Sequence, residues 1–336
     1  MTSQYLDVDP ANAELGQMSL TPQELHNVYR GAVVDAHHHL WDLATGDYPW
    51  LGPHGNFGPP GRFDPLKGRN YSHDDYRKDV TGAGVVGSVH VEAMWNPESG
   101  QERETQWLDG LAHEDSVALR YVAGVPFGHR LTRSTLEKHL DSERVVGVRQ
   151  TIGWTPDPNL QMASESNLTE TVEWRKSVEL VLDRGLLLEL LMYPEQALNV
   201  ANLARTYPEL QIVINHKGSP ADLSGPGRKR WRDGLERMAQ HTNIAIKLSA
   251  SFSFLNAKTQ SHLDEQVGVL AETFGPERMV FGSDFPVASL QGFTYAQTLE
   301  AVRRSTRSLE LSQQTAIFLE NAIRIYQLDP SELREI

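Results

Sequence analysis

The 336 residues carry 44 acidic against 31 basic side chains, a formal net charge of −13, and no cysteine. The negative charge, with no Lys/Arg-rich block to offset it, excludes electrostatic binding to a nucleic-acid backbone and points to a small-molecule partner. The missing thiols exclude disulfides, thiolate zinc sites and cysteine nucleophiles, so histidine and carboxylate must carry any metal.

Residues 1–30 read as an N-terminal extension, polar, acidic and proline-containing, without the basic start and apolar core of a signal peptide. No apolar run approaches membrane-spanning length. The expectation is a soluble cytoplasmic protein with no membrane partner, in which residues 31–330 form one barrel domain; a homo-oligomer is compatible with this.

The first strand is expected over Val33–His38, within Val33-Val34-Asp35-Ala36-His37-His38-His39-Leu40-Trp41-Asp42. Strict alternation would place Asp35, His37 and His39 on one face and Ala36 and His38 on the other. Two imidazoles at one strand end can occupy adjacent corners of a coordination sphere. An affinity-tag remnant would sit at a terminus and lack these apolar flanks. The following segment, Thr45–Ser72, is crowded with Gly, Pro, Trp, Tyr and Phe. Long loops inside compact domains often serve as lids, so it is a lid candidate, with a purely structural wrap as the alternative.

Further strands are expected at Val85–Ala93, Leu119–Pro126, Val145–Thr151, Leu186–Met192, Gln211–His216, Asn243–Leu248 and Met279–Asp284. Between them, apolar residues at three- and four-residue spacing predict helices such as Glu102–His113, Leu131–His139, Thr169–Arg184, Pro194–Tyr207, Arg228–His241 and Ser261–Phe274. Eight strands alternating with helices predict an α/β fold, a distorted (β/α)8 TIM barrel with a lid-like loop after strand 1. A doubly wound sheet would announce a glycine-rich phosphate loop after an early strand. Gly82-Ala83-Gly84-Val85-Val86-Gly87 matches that pattern only loosely and precedes a strand instead of opening a helix.

In such barrels catalytic groups gather at the C-terminal strand ends. Strand 1 there ends in His37 and His39, strand 2 in His90 and Glu92, and strand 4 in Arg149 and Gln150. Strand 5 carries Glu189, strand 6 ends in His216 and Lys217, strand 7 in Lys247 and Ser249, and strand 8 in Ser283 and Asp284. A lone His216 reads more naturally as a structural histidine, and Asp284 alone as a turn cap. Together with the paired histidines they make a site in which Asp284 can accept a proton from water.

The set Asp35-Ala36-His37-His38-His39-Leu40-Trp41-Asp42, Asn215-His216-Lys217-Gly218, Ile246-Lys247-Leu248-Ser249, Phe281-Gly282-Ser283-Asp284-Phe285-Pro286 and Asn321-Ala322-Ile323-Arg324-Ile325-Tyr326 resembles the amidohydrolase superfamily. More narrowly it is similar to the branch holding L-fuconolactonase and 2-pyrone-4,6-dicarboxylate lactonase, from about Val33 to Leu328. The resemblance implies hydrolysis of a cyclic ester, with His37, His39, His216 and Asp284 as the catalytic set and as ligands of one divalent metal, zinc by preference. Binuclear members add a bridging lysine or glutamate on strand 4 and a histidine on strand 5. Arg149 and Glu189 stand on those strands here, so at most one metal is expected, and some lactonases of this branch use the same histidines without any. Asn215 replaces the aspartate common in relatives, and Lys217 is also less typical.

On this reading Asp284 is the general base, and Arg149, Lys247 and Lys217 are candidates to meet substrate charge. Arg149 is suited to a bidentate grip on a carboxylate. His90 and Glu92 would orient or bind, and Trp41, Trp50, Trp95 and Trp154 could stack on a ring. The competing activity is metal-dependent non-oxidative decarboxylation of an aromatic or unsaturated acid. A non-catalytic binding barrel is the third possibility, and it has no need of the three histidines and aspartate together.

Overall fold

The computed structural model describes residues 27–55, 59–111, 115–253 and 256–336. Most of the N-terminal extension and the expected end of a helix at His113 lie outside them.

Eight strands, β1 (Val33–His38), β2 (Val85–Val91), β3 (Arg120–Gly124), β4 (Val145–Thr151), β5 (Leu187–Leu191), β6 (Ile212–Ile214), β7 (Ile244–Leu248) and β8 (Met279–Phe281), follow one another in a single parallel sheet in chain order. Each is followed by a helix: α1 (His73–Val80), α2 (Glu102–Asp109), α3 (Thr132–His139), α4 (Val172–Leu182), α5 (Ala197–Thr206), α6 (Gly225–Ala239), α7 (Gln260–Phe274) and α8 (Tyr295–Ser305). This is the expected (β/α)8 barrel. Helix starts are set by side-chain caps: Ser72 and Asp75 form a reciprocal capping box on α1, as Thr294 and Gln297 do on α8, while Ser224 and Thr259 cap α6 and α7.

The ring closes between β1 and the segment after β8. The Asp284 N–H donates to the His37 carbonyl at 2.7 Å, and the His39 N–H to the Phe285 carbonyl at 2.8 Å. A buried carboxylate locks this seam. Asp35 Oδ1 accepts from the Ser283 and His37 N–H groups at 2.8 and 3.1 Å, and Oδ2 from the hydroxyls of Ser283, Tyr76 and Tyr295 at 2.6, 3.0 and 3.2 Å. Gly282 is needed here, because a Cβ on it would lie 2.6 Å from the His37 Cβ.

Strand β1 departs from strict alternation. Asp35 pairs with Ser88 and His38 with His90, so three steps on β1 oppose two on β2, which is a β-bulge. Asp35 and His38 therefore both face outward, the first bonded to Tyr76 of α1 and the second stacked on the same ring at 4.1 Å. His37 turns inward instead. The expected shared face of Asp35 and His37 is thus corrected, since the extra residue re-aims the imidazole into the barrel.

The barrel interior is apolar at its lower end, where Val34, Ala36, Val89, Val122, Val213, Ala245 and Val280 pack on Ala322, Ile325 and Tyr326. Ala322 and Ile325 belong to a helical segment, 311–325, with a π-turn at Ala316–Glu320, that closes the floor, and Tyr326 caps its end. The larger core fills the space between strands and outer helices. No helix among the described residues is long and apolar enough to cross a membrane.

Candidate active site

At the C-terminal mouth of the barrel, three imidazoles from two strand ends converge on one carboxylate oxygen. Nε2 of His37, His39 and His216 lie 3.4, 3.4 and 3.8 Å from Asp284 Oδ1. The backbone is forced into place there: Met94, His216, Lys217, Ser219, Ala250 and Asp284 are non-glycine residues with positive φ, all beyond strand ends. Residues 216–219 form a left-handed turn with φ of 52°, 58°, 70° and 47°. Such conformations cost energy and cluster where side-chain aim matters.

Each imidazole is fixed from behind. His39 Nδ1 donates to the Val91 carbonyl at 2.8 Å, which aims its Nε2 at Asp284. His216 Nδ1 meets Ser249 Oγ at 2.8 Å, and its own N–H donates to the same oxygen at 3.2 Å. His37 Nδ1 faces Lys247 Nζ at 3.4 Å. Burial holds the His37 imidazole well below its usual range, with Lys247 adding to the effect, and lowers His216 to about 3 against the pull of Asp284. Both rings are neutral near pH 7.

Beneath the imidazoles lies a charged layer inside the barrel. Lys247 Nζ donates to Glu189 Oε1 at 2.6 Å, the Tyr326 hydroxyl donates to the same oxygen at 2.8 Å, and Asn215 Nδ2 donates to Oε2 at 2.7 Å. Burial lowers the Lys247 pKa, while Glu189 opposes it. Beside it Arg149 binds Glu92, Nε to Oε1 at 2.7 Å and Nη2 to the Glu92 carbonyl at 2.9 Å. Arg149 Nη1 makes no hydrogen bond to any described residue.

A cavity that opens to solvent stands above this floor and is lined by His39, Arg149, His216 and Asp284. The loop after β1 contributes Trp50, Arg62 and Phe63 to its wall, as a lid would. The other expected binding residues do not line it. Lys247 lies below the floor. Lys217 is fully buried with Nζ donating to the Ser249 carbonyl at 3.0 Å, and burial lowers its pKa to about 7. His90 points outward, its Nδ1 accepting from the Leu40 N–H at 3.3 Å and its Nε2 lying 3.5 Å from Glu104. Trp41 stands behind Trp50, packed edge-on at 5.6 Å with its indole N–H on the Arg69 carbonyl.

Sequence reading gave no role to Asp35, Tyr326, Arg62 or Glu104. A carboxylate between Val34 and Ala36 in an apolar run was a detectable signal for Asp35, because a buried charge there demands several donors. Arg62 had none, since nothing in a loop sequence shows which side chains turn inward.

The residues present suit a divalent cation. His37, His39 and Asp284 offer ligand atoms all within 4.8 Å of one another, and His37 Nε2 is buried without a hydrogen-bond partner. Imidazole and carboxylate are ordinary zinc donors.

A parallel eightfold barrel with histidines from strands 1 and 6 and an aspartate from strand 8 at its mouth defines a hydrolase class, and the family model described as amidohydrolase matches residues 34–328. The chain belongs to the amidohydrolase family. It is 28% identical over 302 residues to the uncharacterized protein y4mH of Sinorhizobium fredii, covering 88% of this chain and 99% of that one. To an L-fucono-1,5-lactonase of Burkholderia ambifaria it is 24% identical over 300 residues, covering 88% and 96%. Among solved structures it is similar to an amidohydrolase from Burkholderia multivorans with bound zinc, at a TM-score of 0.72 and 21% identity over 89% of this chain and 100% of that one.

Proposed function

We propose that the protein hydrolyses a lactone to its hydroxy acid, with Asp284 as the general base. The observation that carries this is the convergence of three imidazole Nε2 atoms on Asp284 Oδ1, with His39, His216 and Asp284 lining a cavity and His37 buried behind them. The lactonase name of the Burkholderia ambifaria relative supports it. Water attacks the ring carbonyl carbon while Asp284 takes its proton. The ring C–O bond then breaks, and Asp284 returns the proton to the leaving alkoxide. His39, held by Val91, and His216, held by Ser249, present ring nitrogens to the reacting atoms. Arg149 Nη1 is placed to meet negative charge on the substrate, developing or resident. His37, His39, His216 and Asp284 would hold a divalent cation, whose contribution when bound is to polarise the carbonyl.

The test is acid release, followed with a pH indicator, from aldonolactones, muconolactones and pyrone carboxylates, with and without zinc or manganese. Acid production from any member upholds the reading. No acid release, with CO2 evolved from aromatic acids, would overturn it in favour of decarboxylation.

A further inference from the structure

The wall of the cavity facing the catalytic floor is hydrocarbon. Trp50, Phe63, Met94, Met162, Leu191 and Leu290 come from five separate segments and meet on the same space. The aromatic part is held rigidly: Trp50 and Phe63 pack edge to face at 5.6 Å, and Trp41 backs Trp50 at the same distance. The one polar side-chain atom of Trp50 is already engaged, its Nε1–H donating to the Ala93 carbonyl at 2.7 Å. Apart from the catalytic floor, the polar lining among the described residues is Arg62, Ser253 and Gln291.

This is a poor enclosure for a sugar lactone, which carries a hydroxyl on nearly every ring carbon. The catalytic groups must engage the carbonyl and ring oxygen, so the remaining hydroxyls would turn toward Trp50, Phe63, Met94 and their neighbours. Each hydroxyl buried without a partner costs roughly 5- to 150-fold in transition-state binding. An aryl or alkyl substituent on the same ring gains from that wall instead.

We infer that the substrate is a lactone whose ring bears an apolar substituent, aryl or alkyl, in place of the hydroxyls of a sugar lactone. The inference rests on the lactonase reading and narrows it to a class that the name of the Burkholderia ambifaria relative does not describe.

The experiment compares uncharged lactones of matched ring size: 4-phenyl-4-butanolide against galactono-1,4-lactone, and δ-decalactone against fucono-1,5-lactone, each corrected for spontaneous opening. The expected kcat/KM ratio favours the apolar member at least about 25-fold in both pairs, the product of two or more unpaired hydroxyls at the low end of their cost. Leu290→Gln, which puts an amide into the wall, should lower that ratio about tenfold or more. Equal rates, or preference for the sugar lactones, would overturn the inference while leaving the lactonase reading standing. If no lactone is opened, the lactonase reading fails. The class of ligand is then decided by thermal protection with 4-hydroxy-4-phenylbutanoate against galactonate: greater protection by the phenyl acid supports the apolar cavity, and greater protection by the sugar acid overturns it.

Discussion

Replacing Glu189 by Gln tests the charged layer under the imidazoles. The substitution keeps the shape and removes the charge that faces the Lys247 ammonium at 2.6 Å in a fully buried site. The hydrogen bonds can largely re-form. A glutamine oxygen can accept from Tyr326 and Lys247, and its amide would face Asn215, whose Oδ1 is buried without a partner and can rotate to accept. What cannot be restored is the ion pair, and removing one partner of a buried pair typically costs about 3–5 kcal/mol. Lys247 can escape part of that by releasing its proton, which burial already favours. At roughly 2 °C per kcal/mol for a chain of this size, the melting temperature should fall by about 6–10 °C at pH 7. The loss should shrink at higher pH as the lysine neutralises. Calorimetric melts of E189Q between pH 6 and 9 measure both effects. A variant within about 1 kcal/mol of wild type at pH 7 would refute the idea that Glu189 compensates a buried ammonium.

Asp284→Asn should reduce lactone turnover by about a thousandfold or more while moving the melting temperature by only a few degrees, because the amide keeps the shape but cannot take a proton; near-normal turnover would remove Asp284 from the mechanism. Asp35→Asn should destabilise the barrel by about 2–4 kcal/mol in urea melts, since an amide nitrogen would face donors where five hydrogen bonds now converge on a carboxylate. A change under about 0.5 kcal/mol would mean the seam does not depend on it. The protein should also lose stability as pH falls from about 6.5 toward 3. The imidazoles of His37, His38, His90 and His216 have folded-state pKa values pushed down mainly by burial, so the unfolded chain binds more protons across that window. Each contributes up to about 1.4 kcal/mol per pH unit, and a flat stability profile between pH 6.5 and 4.5 would contradict neutral buried rings.

The barrel was legible because its signal is repetition. Apolar runs separated by amphipathic segments survive uncertainty about any one boundary, and Val33–His38 and Val145–Thr151 match the strands at both ends. Errors fall where the backbone leaves regular geometry without a sequence marker. The sixth and eighth strands end at Ile214 and Phe281, earlier than the apolar pattern suggests, because Asn215 leads into the left-handed turn and Gly282 into the seam. His216, Lys217 and Ser219 give no hint of positive φ, which glycine or asparagine would have supplied. Helix α6 begins at Gly225, three residues before the expected Arg228, since Gly-Pro-Gly reads as a loop until the Ser224 cap is seen. The residues that end strands with polar groups were recognisable. Which of them line the cavity was not, because the bulge in β1 and the outward aim of His90 depend on register with neighbouring strands.

The seam and floor of the barrel set the order in which the candidate site can come into being. His39 meets Asp284 across 245 residues of sequence, and Tyr326 reaches Glu189 across 137. A chain emerging from the ribosome can pair β1 through β7 early, as domains fold while they are made. It cannot assemble the triad of imidazoles around Asp284 until β8 has been synthesised. Nor can Glu189 gain its hydrogen bond from Tyr326 until the floor segment is in place. Nascent intermediates would therefore carry an open edge and a Glu189 carboxylate short of one donor, and the candidate site matures as one of the last events in synthesis.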